Sequence, residues 1–154
     1  MMRAAASAKV LGGVALLALL SPSALAAPFC NFTSVTGVGF GAYDVFSAAP
    51  NNNGVGSLRI RCQGGGKSAV VTLSAGQSGS YALRRMTSGS NRIDYNLYTS
   101  AARTVVWGDG TGGSATQSVA SNSTTTLSVF GQIPAAQDAA VGVYSDNIIA
   151  TVNF

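Results

Sequence analysis

Apolar and polar positions alternate over residues 142–154. Tyr144, Ile148, Ala150, Val152 and Phe154 share one parity, with Ser145, Asn147, Thr151 and Asn153 between them. A period of two is that of a strand with one face on a core. The sequence stops at Phe154. The expectation is therefore a long apolar-faced strand with a free edge, a hazard unless a neighbour covers it.

The same period recurs upstream. Leu58, Ile60 and Cys62 alternate with Arg59 and Arg61, and Ile93, Tyr95, Leu97 and Thr99 alternate with Asp94, Asn96 and Tyr98. Val70 to Ala75 is a short β-branched run between Gly66 and Gly76. Leu127, Val129 and Ile133 share a parity with Gly131, while Phe130 faces the other way. Phe29 to Tyr43 supplies one or two further strands around Cys30. Turn signals separate the runs: Asn51-Asn52-Asn53-Gly54, Gly64-Gly65-Gly66, Ser88-Gly89-Ser90-Asn91, Asp109-Gly110 and Gly112-Gly113. After Leu20 no apolar stripe of helical period appears. About seven short strands at this spacing predict an all-β sandwich. Residues 138–144, ending in Tyr144, resemble the corner before the penultimate strand of immunoglobulin-like sandwiches, where a Tyr hydroxyl bonds back to the upstream backbone. The alternative for Tyr144 is a simple core aromatic.

The first residues read differently. Arg3 and Lys9 precede an uncharged, mostly aliphatic run from Val10 to Leu20, followed by Ser21-Pro22-Ser23 and the small-x-small site Ala24-Leu25-Ala26. This is the layout of a secretory signal peptide, and the run is too short for a membrane span of roughly 20 residues. Residues 1–26 are expected to be removed after Ala26. Residues 27–154 are then one exported domain without a membrane span.

Charge narrows the function classes. Outside the leader, seven basic residues face five Asp, with no Glu and no His. The basic residues are scattered apart from Arg84-Arg85, so the stripe that nucleic acid demands is missing. That Arg pair reads as a solvated face. Without His or Glu no credible acid–base set forms, and no metal or other cofactor is expected. The chain is read as a non-enzyme. Asp109 sits in a Gly-Asp-Gly turn, and Asp94 alternates outward. Asp146 shares the parity of Tyr144 and Ile148, so on a buried face it needs a hydrogen-bond partner or a shifted pKa.

Cys30 and Cys62 are the only cysteines. In an exported chain this even count most simply means one disulfide. Closing a loop of about 30 residues contributes on the order of 3 kcal/mol. Trp107 carries two readings: an exposed aromatic for surface recognition, or the commoner buried anchor.

One resemblance covers essentially all of residues 27–154. Tyr95-Asn96-Leu97-Tyr98-Thr99, followed by Arg103-Thr104-Val105-Val106-Trp107-Gly108-Asp109-Gly110-Thr111, resembles the spore coat protein U family. That family includes subunits of archaic chaperone–usher pili. Phe40-Gly41-Ala42-Tyr43-Asp44, Arg59-Ile60-Arg61-Cys62, Tyr81-Ala82-Leu83, Arg85-Met86, Gly131-Gln132-Ile133-Pro134 and Gly142-Val143-Tyr144-Ser145-Asp146 follow in the same order.

The resemblance implies an incomplete immunoglobulin-like β-sandwich of pilin type, lacking its last strand. Its groove is filled first by a periplasmic chaperone strand and then by the amino-terminal extension of a neighbouring pilus subunit. An outer-membrane usher is the third implied partner, with transit through the periplasm to the cell surface. The expected acceptor groove is lined by Ile148, Ala150, Val152 and Phe154, with Tyr144 and Asp146 at the structural corner. Only Ala27-Pro28-Phe29 separate the expected cleavage site from Cys30, short of the roughly 5–10 residues a donated strand needs. The expectation is a structural or adhesive subunit that accepts a strand and donates none. The alternatives are a self-contained spore or cyst coat protein, and a carbohydrate-binding module around Trp107.

Overall fold

The computed structural model describes residues 27–65 and 68–154. The leader expected at 1–26, with its cleavage site, lies outside the described residues. The alternating segments become strands β1 (Phe29–Gly39), β2 (Val55–Gln63), β3 (Ala69–Leu73), β4 (Arg84–Ser88), β5 (Asn91–Tyr98), β6 (Gln117–Val119), β7 (Thr124–Gln132) and β8 (Ala150–Asn153), with a 3-10 turn at Gly76–Ser78. Five form one sheet in the order β1-β2-β7-β5-β4, and three form a second in the order β6-β3-β8. Every strand pairing is antiparallel.

The inward parity is the one the alternation gives. Leu58, Ile60 and Cys62 of β2, Ala69, Val71 and Leu73 of β3, and Ile93, Tyr95 and Leu97 of β5 are all buried. Val129 and Ile133 join them, while Phe130 turns outward beneath the Arg103 guanidinium, 6.0 Å from its ring centre. Two faces burying these residues against each other make the core of a sandwich. A disulfide joins Cys30 to Cys62 directly across the β1–β2 ladder, with a Cα–Cα distance of 4.1 Å.

The last segment departs from one long strand. Its alternation survives: Tyr144, Asp146, Ile148, Ala150 and Val152 are half-buried, and the residues between them are exposed. Its ladder does not. Ser145 pairs with Thr87 of β4, and regular pairing resumes only at Ala150 opposite Leu73 of β3. The chain thus leaves the five-stranded sheet and joins the three-stranded one. Over the crossing, one backbone bond remains, from Ser74 N to Ile149 O at 2.8 Å, and side chains supply the other partners, as short polar residues readily do: Ser74 Oγ accepts from Ile149 N, and the Asp146 carboxylate accepts from Gln77 N and Asn147 N.

The architecture is an incomplete immunoglobulin-like β-sandwich. Among the described residues β1 pairs only with β2 and β8 only with β3, so each presents one unpaired edge. No described helix is long and apolar enough to cross a membrane.

Candidate functional site: an open apolar groove

The two unpaired edges flank one opening. Val35 to Val38 of β1 line one side, and Tyr144 to Ile148 with Ala150 the other, enclosing a groove of about 370 Å³. Leu58, Leu73, Tyr95, Leu97 and Val129 form its floor. Irregularity in β1 creates the opening. The β1–β2 register shifts between Phe32 and Ser34, and again between Thr36 and Gly39. Before the first shift Cys30 and Phe32 pack on the core. After it, Val35 stands opposite Leu58 and so shares its inward face. Leu58 is 4% exposed, whereas Val35 is 61% exposed. An apolar side chain on the inner face of a sandwich has no cover.

The end nearest Gly39 is closed by Phe40. Its ring lies edge-to-face with Tyr95, centroids 5.7 Å apart, over Gly54 and Gly131, where a Cβ would approach ring carbons to 2.5 Å. Those two glycines make the recess that seats the ring.

The groove has one polar corner, built around Asp146. Its Oδ2 accepts from the Tyr95 hydroxyl at 2.7 Å, and its Oδ1 accepts from Gln77 N at 2.9 Å and Asn147 N at 2.8 Å. The requirement set by its parity is met with three donors. Burial pushes the Tyr95 hydroxyl well above its ordinary pKa, reinforced by the bond to Asp146 and by that carboxylate's charge. Gly76 lies against the same carboxylate with φ +68°, where an added Cβ would collide with it. Tyr144 donates its hydroxyl to Ala140 O at 2.8 Å, four residues upstream, the geometry of a tyrosine corner.

Beneath the corner sits the first of the two adjacent arginines. Arg84 is fully buried rather than on a solvated face. Its Nε and Nη2 donate to Ser74 O at 3.1 and 2.8 Å, Nη1 to Asn96 Oδ1 at 2.7 Å, and Nη2 also to Trp107 O at 2.7 Å. The Tyr81 ring lies 5.3 Å from its guanidinium carbon. Burial lowers the Arg84 pKa, opposed by Tyr95, Tyr81 and Asp146. The missed signal was parity: Arg84 and Met86 alternate with Arg85 and Thr87. Only Arg85 faces out, paired with Asp94 at 2.9 Å. Among the described residues no buried side-chain nitrogen or oxygen lacks a partner.

The expected site residues divide. Ile148 and Ala150 line the groove. Val152 packs on the core beside it, and Phe154, 59% exposed, lies past the last paired residue of β8, Asn153; neither lines the opening. Surface recognition by Trp107 is overturned. Its side chain is fully buried, and its indole N–H donates to Val71 O at 3.1 Å.

Fold and groove together define a β-sandwich left open along two edges. The Spore Coat Protein U domain family matches residues 16–151, and the chain belongs to that family. Protein U of Myxococcus xanthus is 31% identical over 140 residues, covering 81% of this chain and 77% of that protein. A solved chaperone–tip adhesion subunit pre-assembly complex, CsuC–CsuE from archaic chaperone–usher Csu pili of Acinetobacter baumannii, contains a chain of like fold. The TM-score is 0.57 at 21% identity, over 83% of this chain and 40% of that one. This chain therefore matches well under half the length of that solved chain.

Proposed function

We propose that this protein is an exported structural or adhesive subunit of a bacterial chaperone–usher fibre, and that its groove takes a β-strand from a partner. The observation that carries this reading is Val35, on the core side of β1 opposite Leu58 yet 61% exposed. An interior left open between two unpaired edges accommodates one further strand. The strand's backbone would pair along β1 and β8, and its alternate side chains would enter the groove. Each large apolar side chain buried there contributes about 1.5–3 kcal/mol. Ile148 and Ala150 with Val35 and Val38 are the acceptor positions.

The partners on this reading are a periplasmic chaperone, an outer-membrane usher and a neighbouring subunit. The likeness to a chain of a chaperone–subunit complex supports the first and the last. The leader read at 1–26 supports export through the periplasm to the cell surface. That the chain donates no strand rests on cleavage after Ala26, which amino-terminal sequencing of the exported protein tests.

The direct experiment is amide exchange on the purified protein with and without a peptide of alternating apolar residues or the chaperone. The amides of β8 and of Val35–Val38 that face the unpaired edges should become protected only with the partner, and unpartnered protein should self-associate. A monomer of high thermal stability whose β8 exchanges slowly by itself would overturn the reading. The family's description favours a second one, a self-contained coat protein of a spore or cyst. Expression confined to sporulation, with no chaperone and usher encoded nearby, would select it.

A further inference from the structure

The outer face of the five-stranded sheet carries a charge arrangement that the groove does not use. Arg59 and Arg61 project from it, both exposed, about 7 Å apart along β2. Like charges are commonly placed on edge strands to block unwanted pairing. That cannot explain this pair, because β2 lies inside the sheet between β1 and β7. Neither arginine forms an ion pair among the described residues, where the salt bridge found is Arg85–Asp94. The acidic residues lie elsewhere. Asp94 is at the far end of the sheet, on the order of 25 Å along the strands. Asp44 and Asp138 are in loops beyond that end, Asp109 is in a turn, and Asp146 is in the groove. Among the described residues neither guanidinium has a carboxylate partner.

The surroundings are shaped as well as charged. The shift in β1 between Phe32 and Ser34 opens a depression of about 440 Å³ lined by Thr33, Ser34, Arg59, Arg61 and Thr124. Thr124 and Thr126 stand opposite Arg61 and Arg59 on β7. Phe29, 46% exposed, pairs with Gln63 and stands on the same outer face, one step along the ladder from the Asn31–Arg61 pair.

We propose that this face binds an acidic polysaccharide. Two guanidiniums bind carboxylates or sulfates, the hydroxyls bind sugar hydroxyls, and the Phe29 ring covers a sugar face. The depression is shallow and open, so a single anion gains little there. A polymer offering anionic groups repeatedly gains by multivalency. A single-stranded nucleic acid is the poorer fit, since it calls for successive aromatic platforms and this face has one exposed ring.

The test measures retention of the full-length exported protein on immobilised polyuronate, with neutral dextran and single-stranded DNA as parallel surfaces. Polyuronate binding should weaken as salt rises and fall about tenfold or more in R59Q/R61Q. R92Q, which removes the same charge from the other end of the sheet, should bind as the wild type does. Single variants R59Q and R61Q serve should the double variant export poorly, each expected to lose part of the binding. Unchanged binding in the Arg59 and Arg61 variants overturns the proposal. So does an equal loss in R92Q, which would make it a net-charge effect. Equal retention on dextran, or preference for DNA over polyuronate, overturns it too.

Discussion

The Tyr95 hydroxyl donates a 2.7 Å hydrogen bond to Oδ2 of Asp146, tying the interior of the five-stranded sheet to the segment that walls the groove. The other oxygen of that carboxylate holds the backbone of Gln77 and Asn147. Removing it leaves the part-buried Tyr95 hydroxyl without its acceptor and hands two exposed backbone N–H groups to water. Asp146→Ala should lower stability by about 1–3 kcal/mol, and Asp146→Asn, which keeps an accepting oxygen, by less. Urea unfolding followed by fluorescence of the buried Trp107 reads this. A loss under about 0.5 kcal/mol would mean that the crossing segment holds itself without the carboxylate.

The same contact sets a response to alkali. Burial and Asp146 raise the Tyr95 pKa in the folded state, whereas the unfolded chain ionises near its ordinary value of about 10. Above that value the unfolded state binds fewer protons than the folded one, so stability falls as pH rises. The Tyr95 contribution is complete below about pH 10 and is lost progressively above it. Tyr95→Phe should flatten this alkaline loss in melts taken between pH 8 and 11. An unchanged slope would assign it to other groups.

Arg84 brings a charge into the core with neutral partners: a backbone carbonyl held twice, a second carbonyl and an amide oxygen. Arg84→Lys cannot reproduce the two-pronged grip on Ser74 O and should cost about 3 kcal/mol or more, with Arg84→Ala about the same or worse. Arg85→Ala, which removes a half-exposed partner of Asp94, should stay within about 1 kcal/mol. Equal effects at the two positions would contradict the burial of Arg84.

How much of this was legible in the sequence follows from what sets each feature. The strands of the core were readable because period-two alternation is a local property, and Leu58-Ile60-Cys62 or Ile93-Tyr95-Leu97 carry it without interruption. Asp146 was readable as a residue needing partners because parity alone places it on the inner side. Its actual partners, Tyr95 and Gln77, lie 51 and 69 residues away, and no local pattern names them. Parity places Phe154 on the groove side too, but parity does not say where pairing stops. Two adjacent arginines suggest solvent by composition, although alternation splits them between faces. The Trp107 environment was undetermined because its neighbours in space, Val71 and Arg84, come from other strands.

The disulfide spans the ladder that leads from the covered half of β1 to its open half. Cys30 and Cys62 are 32 residues apart, so reduction should lower stability by about 3 kcal/mol through the freed unfolded chain. The loss should also appear locally, as faster exchange in β1 than in β5. Uniform acceleration would mean that β1 does not open by itself.

Val35 separates the groove from the core most cleanly. It faces inward opposite Leu58 but is already 61% wet, so Val35→Asp should alter the stability of the free domain by less than about 0.5 kcal/mol. Ile60, fully buried on the neighbouring strand, should lose about 2–5 kcal/mol as Ile60→Ala. The order reverses in strand capture. A charge at position 35 must be dehydrated when the incoming strand covers it, and a penalty of a few kcal/mol lowers affinity by about 100-fold or more. Titration with a donor peptide or the chaperone, alongside urea melts of both variants, measures the two effects independently. If Val35→Asp captures the strand as well as the wild type, the occupied edge is not β1. If it unfolds the free domain, Val35 belongs to the closed core and the groove is not open in solution.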